Sequence, residues 1–345
     1  MLATVIVAPG EIEVIRTADP SIEAPTDAIV RITHCCICGS DLWAYRGVAH
    51  RGVRQPIGHE FIGIVEETGS EVTTLRKGDA VVAPFSWACG KCDACRRGLP
   101  TSCPLGGFWG RTTGAGGAQA EAIRVPFADA TLVAVPRGSD SKSARALLGL
   151  TDILCTGYHA ALCANVSAGE TVAVVGDGPV GLCAVMIARH LGAGRIFLFG
   201  RHASRLALGL SLGATDAVNV DTVDPAQHIR DLNRGFAADS VLECVGTEMS
   251  LRTSVLLARD GGAVGYVGVP HSIDKVPLGK MFGRNIGLRG GIAPSRTYIP
   301  RLLPSVLNGA LDASSIFDLA LPLAEAAQGY QAMNCRQATK VMLTI

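Results

Sequence analysis

VAVVGDGPVGL, residues 172–182, is an apolar run that breaks at a glycine turn and resumes as an apolar helix. Val172 to Val175, with no polar alternation, read as a strand buried on both faces. Gly176, Gly178 and Gly181 follow in the order G-x-G-x-x-G. In that pattern the first glycine permits the tight turn and the second lets a pyrophosphate reach the backbone. The third lets helix and strand pack closely. Pro179 and Val180 open the helix, whose N-terminal N–H groups and dipole face the phosphates. A strand–turn–helix setting makes this a dinucleotide site built from Gly176, Gly178, Pro179, Val180 and Gly181.

Outward from this turn the same texture repeats. RIFLFG (195–200), DAVNV (216–220), DSVLECVG (239–246) and GGAVGYVGV (261–269) are apolar strands, and SRLALGLSLGA (204–214) is a helix. Buried strands alternating with helices predict a doubly wound parallel sheet, an α/β Rossmann domain. Before it, ATVIVA (3–8), AIVRIT (28–33), FIGIVEE (61–67) and DAVVAPF (79–85) are short Val- and Ile-rich stretches bounded by turn residues, the mark of a β-rich domain. The last strand, KVMLTI (340–345), is expected to return to that first domain. The expected division is therefore 1–150 with 289–345, interrupted by 151–288.

Composition narrows the function classes. At 345 residues, 48% hydrophobic and 18% charged, the chain has material for two cores and is not disordered. Its 31 basic and 30 acidic residues leave a net charge of +1, which gives no electrostatic footprint for nucleic acid or an anionic membrane. No run of about 18 apolar residues spans a bilayer, and the first twenty residues lack a basic, then apolar, leader pattern. A cytoplasmic protein is expected, so the 12 cysteines read as metal ligands or buried thiols rather than disulfides.

The end of the second Rossmann strand selects the dinucleotide. An acidic residue there would hold the adenosine ribose hydroxyls. Here Gly200, Arg201, His202 and then Arg205 stand at that place. Lacking a carboxylate and offering a guanidinium fork, this end predicts NADP over NAD. The alternatives are that Arg201 and Arg205 are a solvated helix start and that His202 is a surface residue.

Two metal sites are expected. CGKCDACRRGLPTSC supplies Cys89, Cys92, Cys95 and Cys103 in one short loop, a tetrahedral thiolate set suited to structural zinc. The other cluster is scattered: Cys38 in CICGSDL, His59 and Glu60 in GHE, and Asp152 in LTDILCTGYHA. Cys, His and carboxylate suit a catalytic zinc that keeps a position open. A four-cysteine lobe on its own could equally belong to a non-enzymatic zinc module.

CICGSDL, GHEFIGIVEETGSEVTTLRKGD (58–79), the four-cysteine loop, the Asp152–Tyr158 segment, VGDGPVGL and the KVMLTI ending together resemble a zinc-dependent alcohol dehydrogenase of the medium-chain dehydrogenase/reductase superfamily. That resemblance implies a GroES-like catalytic domain interrupted by a Rossmann domain. It implies a catalytic zinc on Cys38, His59 and Asp152, with Glu60 nearby and Cys155 considered as a third ligand in place of Asp152. Ser40 would take the alcohol proton. Thr156, Val267 and Gly268 would line the nicotinamide, and Lys340 would lie near the pyrophosphate, although a surface lysine is the alternative. The substrate would be a small alcohol or carbonyl compound, with a polyol, sugar or amino alcohol as the variant within the family, and the assembly a homodimer or homotetramer. Where many members carry a proton-relay histidine, five residues after the zinc cysteine, this chain has Trp43; His50 in the next loop could substitute, but is expected to be an exposed loop histidine instead. Trp43 and Trp109 are expected in an apolar substrate pocket, with the β-domain core as the alternative.

Overall fold

The computed structural model describes residues 1–49, 52, 54–112, 116–136, 144–271, 273 and 275–345. The chain divides into two compact units, Met1–Asp152 with Pro294–Ile345, and Ile153–Ala293.

The discontinuous unit is built on strands whose order is Val133–Ala134, Ala80–Ala83, Glu60–Thr68, Ala28–Ile37, Val341–Thr344 and Leu319–Pro322, with Ala122–Val125 also pairing with Ala28–Ile37. A smaller sheet joins Glu11–Arg16, Leu2–Ala8 and Gln55–Pro56. Register decides what meets at the end of the main sheet. Cys36 lies opposite Glu60 and Ile37 opposite Val341. The exit of one strand and the starts of two others therefore gather Cys38, His59, Glu60 and Lys340. One apolar core, including Val30, Ile37, Phe61, Val81, Trp109, Tyr330 and Leu343, fixes this arrangement. A slip of one residue in a strand would turn that strand's core side chains, such as Val30 and Ile37 of Ala28–Ile37, to the opposite face.

The contiguous unit is a six-stranded sheet in the order Asp216–Asn219, Arg195–Gly200, Thr171–Val175, Ala238–Glu243, Ala258–Tyr266, Gly287–Gly290. Every adjacent pair is parallel, and the order reverses beside Thr171–Val175, the switch point where doubly wound sheets bind ligands. All five residues of Thr171–Val175 are buried, as expected for a strand covered on both faces. Among the described residues no single helix is long and apolar enough to cross a membrane.

Candidate active site and metal centres

Cys38, His59, Glu60 and Asp152 offer ligand atoms that all lie within 4.8 Å of one another. His59 Nε2 is 3.4 Å from Asp152 Oδ2, and Cys38 Sγ is 3.8 Å from the same oxygen. Cys155, the other possible third ligand, is fully buried on the Ile153–Cys163 helix and belongs to neither cluster of metal-type donors found among the described residues.

Behind this cluster stands a residue that the sequence reading passed over. Asp41, fully buried, places Oδ1 3.3 Å from His59 Nδ1. Its Oδ2 accepts the Cys38 backbone N–H at 3.1 Å and lies 3.5 Å from Gln119 Nε2. Gln119 in turn accepts the Tyr330 hydroxyl at 3.0 Å. Such a carboxylate fixes the imidazole tautomer and turns the other nitrogen to the ligand position. Burial works against a charge on His59, yet Asp41, Cys38 and Asp152 outweigh it and raise its pKa well above the ordinary value. Asp41 shows the mirror effect: burial opposes its charge, but His59 and the Cys38 N–H prevail and lower its pKa. Asp41 could have been found as the only acid inside CICGSDL.

Lys340 is not the surface lysine weighed as the alternative for it. It is fully buried, with Nζ 2.8 Å from Glu60 Oε1 and 3.4 Å from the Ile37 carbonyl. Burial disfavours its charge, but Cys36, Glu60 and Cys38 together outweigh that and raise its pKa well above the ordinary lysine value. Thr151 Oγ1 lies 3.4 Å from Glu60 Oε2. Glu60 is thus held by a buried cation, which leaves Cys38 and Asp152 as the two negative donors beside a neutralisable histidine. Two negative charges balance a divalent cation, and three donors leave a fourth position open, so the donor set fits a catalytic zinc.

In the second cluster, Cys89, Cys92, Cys95 and Cys103 also bring their sulfurs within 4.8 Å of one another. The Cys92–Cys95 and Cys89–Cys103 sulfurs are each 3.5 Å apart. A tetrahedral shell with Zn–S bonds of about 2.3 Å needs sulfurs about 3.8 Å apart, so these thiols fit zinc with little movement. The loop is closed at its base by Ser86–Trp87 pairing with Gly107–Phe108. Burial raises the Cys89 pKa, but backbone N–H groups of Lys91 and Cys92 outweigh it and bring it down to about 7, favouring the ligating thiolate. All twelve cysteines are free. Of the seven read as buried thiols, Cys35, Cys36, Cys155, Cys163 and Cys183 are buried, Cys244 is half-buried and Cys335 is exposed.

The dinucleotide turn has the features that its glycines predict. Gly176 has φ +115°, a side-chain Cβ at Gly178 would meet nothing within 4 Å, and one at Gly181 would collide with the Gly176 carbonyl. The open space at Gly178, at the N-cap of the helix that Pro179 begins, is a cradle that fits a pyrophosphate. Val267 and Gly268 sit across from Val245 and Gly246: the N–H groups of Val267 and Gly268 bond the Glu243 carbonyl, while the Glu243 carboxylate accepts the N–H groups of Val245 and Gly246. Thr156 is half-buried on Ile153–Cys163.

The cofactor-selecting end differs from its sequence reading. A carboxylate is present beside Gly200 after all, contributed by Asp177 from within the glycine turn. Its Oδ2 accepts the N–H groups of Arg201 and His202, both at 2.7 Å, and lies 3.0 Å from His202 Nδ1. A Cβ on Gly200 would stand 2.5 Å from Asp177 Oδ2. Gly200 is glycine because Asp177 fills that space. Arg201 is exposed and its Nε pairs with Asp221 at 3.2 Å. Arg205 stands in the helix Ala203–Leu212.

Ser40 is half-buried at the N-cap of Asp41–Tyr45 and makes no capping hydrogen bond with its side chain. Trp43, on that helix, is half-buried. Trp109 is corrected from pocket to core: it is fully buried, lies 4.7 Å from Trp87 and 5.6 Å from Phe61 between ring centroids, and donates Nε1–H to the Pro84 carbonyl at 2.8 Å. The aromatic beside the cluster is Phe85, edge-on to His59 at 6.4 Å and stacked on Phe108 at 6.1 Å. His50 lies outside the described residues.

A profile described as the alcohol dehydrogenase GroES-like domain matches residues 24–137, and one described as a zinc-binding dehydrogenase matches 179–308. A probable zinc-binding alcohol dehydrogenase of Mycobacterium tuberculosis is 37% identical over 97% of this chain and 86% of the relative. The chain belongs to the zinc-dependent alcohol dehydrogenase family. Zinc-type alcohol dehydrogenase B of Aspergillus flavus, another relative, is 33% identical over 99% of this chain and 81% of its own. Among solved structures, alcohol dehydrogenase TADH from Thermus sp. ATN1 superposes with a TM-score of 0.95 at 35% identity, covering 100% of this chain and 99% of that one. The chain is therefore an oxidoreductase of the medium-chain dehydrogenase/reductase superfamily, with a GroES-like unit and a Rossmann unit.

Proposed function

We propose that this chain interconverts small alcohols with aldehydes or ketones, using zinc on Cys38, His59 and Asp152 and a nicotinamide dinucleotide on the 176–181 turn. The observation that carries this reading is the convergence of those three donors within 4.8 Å, with Asp41 aimed at His59 from behind. Zinc would supply a Lewis acid for the substrate oxygen, and the dinucleotide the hydride carrier. The chain's own residues do the rest. Asp41 holds His59 in one tautomer, and the Lys340 ammonium keeps Glu60 from adding a third negative charge. Phe85 and Phe108 give the histidine an apolar neighbour that limits water. Ser40, two residues past Cys38, receives the alcohol proton. Arg201 and Arg205 support a 2′-phosphate on the cofactor, whereas Asp177 opposes it. We place the enzyme in the cytoplasm as a homodimer or homotetramer, with Cys89, Cys92, Cys95 and Cys103 on a structural zinc.

The test is a panel of aliphatic, benzylic and polyol substrates assayed with NAD and NADP, alongside metal content per chain. Two zincs and reversible oxidation of at least one alcohol are expected. Two zincs with no dinucleotide turnover on any substrate would overturn the reading. Ser40→Ala is expected to lower kcat by roughly a hundredfold, the contribution typical of a positioned acid–base group, with KM little changed. Full turnover in that variant would remove Ser40 from the proton path.

A further inference from the structure

The turn between the two halves of the dinucleotide motif carries an internal anion. Asp177 is the middle residue of Gly176-Asp177-Gly178. Its side chain is 9% exposed, and it reaches across to the end of Arg195–Gly200. There it takes the N–H groups of Arg201 and His202, the two residues that lead into the Ala203–Leu212 helix, together with His202 Nδ1. Those donors are the kind a 2′-phosphate would need at this strand end. Gly200 is shaped to this carboxylate, because any side chain there would overlap Asp177.

We propose that Asp177 determines which dinucleotide the enzyme takes: its carboxylate occupies the anion-binding amides beyond Gly200, so that NAD(H) is favoured over NADP(H). This rests on the dehydrogenase reading above and reverses the preference expected from Gly200 and Arg201. The competing effects are unequal. Asp177 is almost buried and triply hydrogen-bonded, so its charge is weakly screened. The Arg201 side chain is 54% exposed and paired with Asp221, so its attraction for a phosphate is both screened and shared. A 2′-phosphate entering this end would lose two backbone donors and face a fixed negative charge. An unphosphorylated ribose would meet a carboxylate close to where acidic residues at this strand end usually hold it.

Equilibrium binding to the zinc-loaded enzyme tests this without turnover. Dissociation constants for NAD⁺ and NADP⁺, and for AMP and adenosine 2′,5′-bisphosphate as half-cofactors, are measured by calorimetry. Wild type is expected to bind the unphosphorylated member of each pair roughly tenfold tighter or more, the effect of one weakly screened like charge. Asp177→Ser frees the amides and keeps a hydroxyl for the helix start. It is expected to tighten the phosphorylated members by roughly tenfold or more, and a further Arg201→Ala is expected to remove that gain. Asp177→Asn, which keeps the shape and one acceptor, guards against misfolding and is expected to fall between. A wild type that prefers NADP⁺, or a preference unmoved in both Asp177 variants, overturns the assignment to Asp177 alone. Binding of neither dinucleotide to wild type overturns the dehydrogenase reading with it.

Discussion

Cys38→Ala is expected to lower kcat/KM by about ten-thousandfold, equivalent to about 5.5 kcal/mol of barrier, while the protein stays folded and keeps one of two zincs. Cys38 is one of the two negative donors in the cluster, and its removal leaves only His59 and Asp152 to hold the ion, with Glu60 committed to Lys340. Cys38 is half-buried and lies past the end of its strand, so alanine there leaves little void. His59→Ala should abolish activity equally but report less cleanly. It strands the Asp41 carboxylate, fully buried, without its imidazole. Breaking a buried charged pair in that way costs about 3–5 kcal/mol of stability. Metal analysis and denaturant unfolding separate the two variants. Near-normal turnover in Cys38→Ala with two zincs bound would sink the assignment of this cluster.

The second large effect is on stability. Cys92→Ala removes one of four sulfurs from a loop otherwise fastened by its two-residue ladder at Ser86–Trp87 and Gly107–Phe108 and by a few contacts such as that of the Thr297 hydroxyl with the Gly98 carbonyl. Structural zinc sites contribute folding free energy outright, about 10–16 kcal/mol in isolated zinc-finger peptides. Even a few kcal/mol of that, at about 2–4 °C per kcal/mol for a chain of this size, lowers Tm by roughly 10 °C. The variant should carry one zinc, retained at Cys38, His59 and Asp152, because the clusters share no ligand. Lys91, Arg96 and Arg97 are exposed in this loop, so brief trypsin treatment should cut the variant there and spare wild type. An unchanged Tm with no cleavage would mean that the four thiols do not hold a structural metal.

Much of this architecture was legible from local pattern. The parallel sheet could be read because strands buried on both faces, such as Val172–Val175, have no polar alternation to hide them. The zinc-type donors could be read because their chemistry is rare and, for Cys89 to Cys103, close in sequence. What escaped depended on distant register or on side-chain reach. Lys340 finds Glu60 only because Val341–Thr344 pairs beside Ala28–Ile37, a pairing that a terminal hexapeptide does not announce. Asp177 drew no reading from the sequence, because the closeness of its carboxylate to Gly200 and to the Arg201 and His202 N–H groups depends on side-chain reach between two strand ends. Trp109 was misplaced because an aromatic near ligands in sequence can point into the core, as its bond to Pro84 shows.

The pairing at the chain's end has a consequence for biogenesis. Lys340 and its partner Ile37 are 303 residues apart, and the whole of Ile153–Ala293 is translated between them. The Rossmann unit is contiguous and can fold while the ribosome is still at work. The other unit is interrupted: the His34–Ile37 end of its central strand waits for Val341–Thr344, and Glu60 waits for its counter-cation until the 280 residues that separate it from Lys340 have been added. The Glu60–Lys340 pair beside the metal-type donors therefore closes only after the whole of the Rossmann unit has been synthesised.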